Sequence, residues 1–204
     1  MAGKKRSGLA NDRRSYGCGR CYTPSSCGAI NISSIATYDG VNTYTLNGNY
    51  TITACQILNI PINTIFQISG GKTLINSGTI NNSGTFNNSG YLYNKTSGIF
   101  NNSGTIDNNG SIYNSDGGGT INNSGSIYNS ESIYNNSGGI CNNNSGGFIY
   151  IYGGGALYND IGATVNNNAG GTISTSNGGT CGAGSFVVSG TFNNSGTINT
   201  DCPP

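Results

Sequence analysis

The chain has 204 residues, of which 34% are hydrophobic, with no Trp or His and a single Met, so a conventional globular core is hard to assemble from it. Charged residues make up only 7% and the net charge is +1, whereas disorder usually pairs low hydrophobicity with high net charge. What survives is an uncharged low-complexity coil or a repeat fold.

Residues 1–40 read as a basic, cysteine-containing arm or cap. Lys4, Lys5, Arg6, Arg13, Arg14 and Arg20 lie here, and the rest of the chain is mildly acidic. Such an arm suits contacts with nucleic acid, an anionic membrane or an acidic neighbour, or serves as a solvated terminus; nucleic acid is the less favoured partner. The basic start is followed by no apolar segment of signal-peptide type, and no run approaches the roughly 20 apolar residues of a membrane-spanning helix. The expectation is synthesis in a cytoplasm without a signal peptide.

Residues 41–70 alternate β-branched and polar residues and are expected to form irregular lead-in strands. From 71 to 200 a six-residue unit takes over, as in GTINNS from Gly78, GTFNNS from Gly84, GTIDNN from Gly104 and GSIYNS from Gly110. Residues 201–204 are a short tail.

One bulky apolar residue recurs per unit, at Ile80, Phe86, Leu92, Phe100, Ile106, Ile112, Ile121, Ile127 and Ile133. A helix would rotate such positions through about 240° per unit and scatter them over its surface. A strand keeps them on one side, so Ile80 faces inward while Thr79 and Asn81 face outward. Ser-Gly then turns the corner, with glycine supplying positive φ. Each unit is too short to stand alone, and stability has to come from coils stacked at about 4.8 Å.

The fold predicted is therefore all-β, a parallel β-helix or β-solenoid. Three strands per coil, roughly 18 residues per turn, are preferred because a two-sheet sandwich with one anchor per strand would have a thin core. The residues two after each anchor, Asn82, Asn88, Asn94, Asn102, Asn108, Asn114, Asn123, Asn129 and Asn135, would stack into an amide ladder that satisfies itself without water. Extra residues, such as Thr96-Ser97 and 116–118, fall between units, where a solenoid has its corners.

Several residues invite a chemical reading. Cys18, Cys21 and Cys27 could form three zinc ligands with Cys55 as the fourth, but no second CxxC and no His accompany them. With Cys181 and Cys202, they suit disulfides better, and a link from Cys202 to the N-terminal cluster of a neighbour would lock a filament. Cys141 follows Ile140, which is taken as the anchor, and is expected to be an exposed thiol for crosslinking. Tyr93, Tyr113, Tyr128, Tyr134 and Tyr158 are expected as an outer aromatic stripe, a lateral interface or sugar-stacking surface. Thr79, Thr85, Thr105, Thr120, Thr191 and Thr197 would face outward, yet Ser and Tyr interrupt the row, which disfavours an ice-binding surface. Asn-x-Ser sequons, such as those at Asn81, Asn87, Asn101, Asn122 and Asn193, follow from the repeat. No cofactor site is read, and Asp107, Asp116, Glu131 and Asp160 are too scattered for acid/base catalysis, so an enzyme is not expected.

Runs such as SGTINNSGTFNNSG and IYNNSGG resemble the Asn/Gly/Ser/Thr-rich short-repeat β-solenoid proteins of giant DNA viruses of amoebae, relatives of mimivirus, and of bacterial adhesins. The resemblance covers about residues 41–200. It implies a self-assembling structural component of a virion or extracellular filament, in which copies join head to tail with disulfide crosslinks and the basic arm meets other virion or surface proteins. The alternative it implies is a surface adhesin or glycan-binding module, and a β-helix carbohydrate enzyme comes third.

Overall fold

A computed structural model describes residues 27–115, 117–176 and 184–200. The chain winds through three parallel sheets, visiting each once per turn for about seven turns. The first strands in chain order are β1 (Gly28–Ile30), β2 (Ala36–Tyr38), β3 (Thr43–Leu46), β4 (Tyr50–Ile52), β5 (Gln56–Ile60) and β6 (Ile65–Ile68). The repeat supplies β7 (Thr73–Asn76), β8 (Thr79–Asn82), β9 (Thr85–Asn88), β10 (Tyr91–Asn94), β11 (Ile99–Asn102), β12 (Thr105–Asn108), β13 (Ser111–Asn114), β14 (Thr120–Asn123) and β15 (Ser126–Asn129). It continues through β16 (Ser132–Asn135), β17 (Ile140–Asn143), β18 (Phe148–Ile151), β19 (Ala156–Asn159), β20 (Thr164–Asn167), β21 (Thr172–Thr175), β22 (Ser185–Val188), β23 (Thr191–Asn194) and β24 (Thr197–Asn199).

Sheet 1 runs β1-β5-β8-β11-β14-β17-β20-β23, sheet 2 runs β2-β3-β6-β9-β12-β15-β18-β21-β24, and sheet 3 runs β4-β7-β10-β13-β16-β19-β22. All pairings are parallel except that of β2 with β3. Residues 41–70 hold β3 to β6, which pair in parallel into the same sheets as the repeat. At the N-terminal end β1 lies over β5 and β2 over β3, so that β1, β2 and β4 are the edge strands of the three sheets. An edge left bare is a template for another strand.

Successive parallel strands of one sheet are 18 to 29 residues apart, as the pairs Leu74–Leu92 and Leu157–Phe186 show. Strand length hardly varies, so corners absorb the difference. The anchors line the interior in register, Ile80 beneath Phe100 and Phe100 beneath Ile121, all within 3% of full burial. Burying each such side chain contributes about 1.5–3 kcal/mol.

The corner glycines correct the sequence expectation. Positive φ occurs at inserted corners, including Gly71, Gly117, Gly138 and Gly146, but not at Gly78, Gly84 or Gly104, which begin units. There the reason is space: a Cβ on Gly104 would collide with the carbonyl oxygen of Gly84 in the coil below. Glu131 stands where the other units have Gly. Beside it the bond from Ser132 N–H to Gly110 O stretches to 3.4 Å, against 3.0 Å for Ser111 to Gly90 one coil below.

Candidate functional site

The inner asparagines sit at the corners, where a strand ends and the next carbonyl would otherwise lack a donor. Where another Asn follows in the same sheet, each donates one Nδ2 hydrogen to the Oδ1 of the Asn above it. In sheet 1 the bonds are Asn82 to Asn102 at 2.7 Å, Asn102 to Asn123 at 2.8 Å and Asn123 to Asn143 at 2.8 Å. In sheet 3 Asn94 donates to Asn114 and Asn114 to Asn135, both at 2.8 Å. Sheet 2 carries Asn88 to Asn108 and Asn108 to Asn129, and there Ile151 takes the next position and ends the ladder.

The second hydrogen of each amide reaches a backbone carbonyl at the following corner, as from Asn82 to Thr105 O and from Asn135 to Thr164 O. These side chains are fully buried and work as internal struts, in three columns, one per sheet. At the base of the sheet 1 column Asn82 Oδ1 is buried without a donor, because Ile60 lies beneath it.

The three outer faces differ in chemistry. Sheet 3 presents Tyr93, Tyr113, Tyr134 and Tyr158, with ring centroids 4.7, 5.0 and 5.0 Å apart and planes within 10° of parallel. Burial against its neighbours, then the adjacent Tyr113, pushes the Tyr93 phenol up from its ordinary value. Lys95 Nζ lies 5.9 Å from the Tyr93 centroid and covers that end of the stack. Because the rings lie face against face, the inner ones offer hydroxyls and edges to solvent, not the faces that stack on sugars.

Tyr128 does not belong to this stripe. It lies on β15 in sheet 2, where it meets Phe148 edge-on at 6.3 Å and pairs in register with Tyr150. Consecutive units fall on different faces, so Tyr128 and Tyr134 in neighbouring units part company while Tyr113 and Tyr134, three units apart, meet.

Sheet 1 carries a feature the sequence reading missed. Beside the inner ladder, Asn59, Asn81, Asn101, Asn122, Asn142, Asn166 and Asn193 form a second, outward ladder through bonds of 2.8–3.0 Å. The row next to it reads Ile57, Thr79, Ile99, Thr120, Ile140, Thr164, Thr191 along the axis. Thr85, Thr105 and Thr197 belong to sheet 2 instead, so the Ser and Tyr interruptions seen in sequence do not interrupt the row on sheet 1. Reading every third unit would have shown both rows.

The cysteines require two corrections. Cys141, expected outward, occupies the anchor position between Ile121 and Val165 and is buried, and it is Ile140 that faces out. The unit starts at Gly139, not one residue earlier at Gly138. Burial pushes its thiol up to about 12, which removes it from crosslinking and nucleophilic chemistry. Cys27 and Cys55 form a disulfide that ties β1 to the edge of β5, so two of the four sulfurs considered for zinc are spent. Cys18, Cys21, Cys181, Cys202 and Asp116 lie outside the described residues.

Asp107 projects from β12 in sheet 2, Glu131 from the corner before β16 and Asp160 from the corner after β19. Among the described residues no three His, Cys, Asp or Glu side chains gather as a metal group. No helix among them is long and apolar enough to cross a membrane. A disulfide fits an extracellular or otherwise oxidising environment.

No family model matches the chain, and no curated protein matches it. Among solved structures, the TibC-catalyzed hyper-glycosylated TibA55-350 fragment is similar, with 16% identity over 76% of this chain and 75% of that one. Its TM-score is 0.17, and a likeness that weak says nothing of function. The chain is a three-sheet parallel β-solenoid with asparagine ladders inside and, on one face, outside.

Proposed function

We propose that this chain is a self-assembling structural protein, a component of a particle or filament in an oxidising exterior, which grows by stacking solenoids end to end. The observation that carries this reading is the terminal coil. Among the described residues β22, β23 and β24 have no strand beyond them in any sheet. At their inward positions Phe186 and Phe192 are only partly buried and Ile198 is 39% exposed, where the coil below holds Leu157, Val165 and Ile173 within 1% of full burial.

A second copy seated there would cover that apolar end and continue all three sheets. At the opposite end β4 lies at the edge of sheet 3 and offers a counterpart to β22. The repeat's resemblance to virion and surface solenoids supports the same role. Terminal cysteines, Cys202 of one copy with Cys18 or Cys21 of the next, are proposed as the crosslink. The role is non-catalytic, a reading supported by the separation of Asp107, Glu131 and Asp160 over different strands and corners.

Negative-stain microscopy of the oxidised protein tests this. Fibres are expected, lost in the F192K/I198K double variant and, as covalent multimers on non-reducing gels, lost in Cys202→Ser. A dispersed monomer at every concentration would overturn the proposal.

A further inference from the structure

The outer face of sheet 1 is unlike the other two. From β5 to β23 its outward positions hold no charge and no aromatic ring. One row alternates large and small, Ile57, Thr79, Ile99, Thr120, Ile140, Thr164, one residue per coil. The three isoleucines stand 36–39% exposed, which is unusual for that residue in a regular strand. Alongside runs the outer asparagine ladder, whose amides are already fixed by bonds to one another.

Such a row reads the same way when it is reversed and exchanged. Turn a second copy about a two-fold axis parallel to the strands, passing between β11 and β14, and the solenoid axes become antiparallel while each row faces its own copy. Ile99 then lies opposite Thr120, Ile140 opposite Thr79, and Ile57 opposite Thr164. Each projecting side chain meets a short one, and the two asparagine ladders meet amide to amide.

We infer that sheet 1 is a self-complementary lateral interface, through which two copies of this chain pair with their axes antiparallel. Identical flat faces of β-branched residues flanked by asparagine ladders interdigitate as dry zippers. A two-fold interface requires a surface that complements itself under that rotation, which the alternation supplies. Any net charge on the face would be doubled across the axis, and it carries none. The amides lose little freedom on pairing, because the ladder has ordered them beforehand.

This pairing goes beyond end-to-end growth and needs neither terminal coil. It is tested by sedimentation of the full oxidised chain, and again with F192K/I198K, in which end-to-end growth is removed. The full chain is expected to sediment as large, laterally paired assemblies and the end-blocked chain as a concentration-dependent dimer; a monomer in the end-blocked chain would overturn the lateral interface while leaving end stacking standing. Thr120→Ile places Ile against Ile twice per dimer and is expected to weaken pairing by about tenfold, as overpacking does. The swap I99T/T120I restores the match and is expected to restore the dimer. If Thr120→Ile instead tightens association, the face is merely sticky and the fitted interface is wrong.

Discussion

Asn101 and Asn102 are neighbours in the chain, yet they donate in opposite directions along the solenoid. Asn102 donates upward to Asn123 at 2.8 Å, while Asn101 donates downward to Asn81 at 3.0 Å. The inner amide is oriented by the corner, since its other hydrogen must also reach Ser126 O, 3.0 Å away. Sheet 1 therefore holds two strings of aligned amides running against each other.

The inner rung carries more energy than the outer one. Replacing Asn102 with Ala would leave Asn123 Oδ1 and Ser126 O buried without that donor, at about 1–3 kcal/mol each. A loss of about 2–5 kcal/mol is expected by urea unfolding. Asn101→Ala, with water available, should cost under about 1 kcal/mol in the same measurement.

Two kinds of glycine should respond differently to a methyl group. At Gly71 φ is positive but the surroundings are open, so Gly71→Ala is expected to cost about 1–2 kcal/mol. Gly104→Ala drives a Cβ into Gly84 O, and a backbone oxygen cannot step aside. Its cost should be at least about 3 kcal/mol, read as a lower melting temperature or as failure to fold.

Cys141 should be silent to thiol reagents in the folded protein at neutral pH and react only after denaturation. Its folded pKa, raised to about 12 by burial, exceeds the ordinary value of 9.0. The stabilisation that follows is whole below pH 9 and is lost as pH climbs from 9 toward 12. Cys141→Val, which copies Val165 one coil above, should cost under about 1.5 kcal/mol and remove that alkaline step.

At the other end of the pH scale the group to watch is Asp39. Its Oδ1 accepts from the backbone N–H groups of Val41, Asn42 and Thr43 at 2.9–3.1 Å, and these bonds, Thr43's first, hold its carboxyl below the usual 3.8. A lowered pKa adds stability above about pH 4 that disappears as pH falls through the folded value. Amide exchange in acid should therefore accelerate in the β2–β3 turn while the coils stay protected. Equal protection there at pH 2 and pH 6 would refute the assignment.

How much of this was legible in the sequence follows from the period. Six residues with one anchor excluded the helix and specified strand, turn and stacking, because a single unit carries all that information. Placing a residue on a face needs the coil length as well. That length varies from 18 to 29 residues with each corner insertion. Tyr128 was therefore grouped with the wrong tyrosines, and the Ile57–Thr79–Ile99 row and the outer asparagine ladder went unseen. Cys141 failed for a smaller reason, a one-residue phase slip at Gly138–Gly139, which exchanges inside for outside along a whole strand.

Every backbone bond between coils points along the solenoid axis, while the covalent chain winds around it. Tension applied to the two termini would thus not load the rungs together. It would peel the last turn first, releasing some twenty to thirty residues of slack before the next turn feels the force. A molecule wound this way yields like a reel, one loop at a time, and the Cys27–Cys55 bond, joining the first loop to the strand before it, is the knot at its inner end.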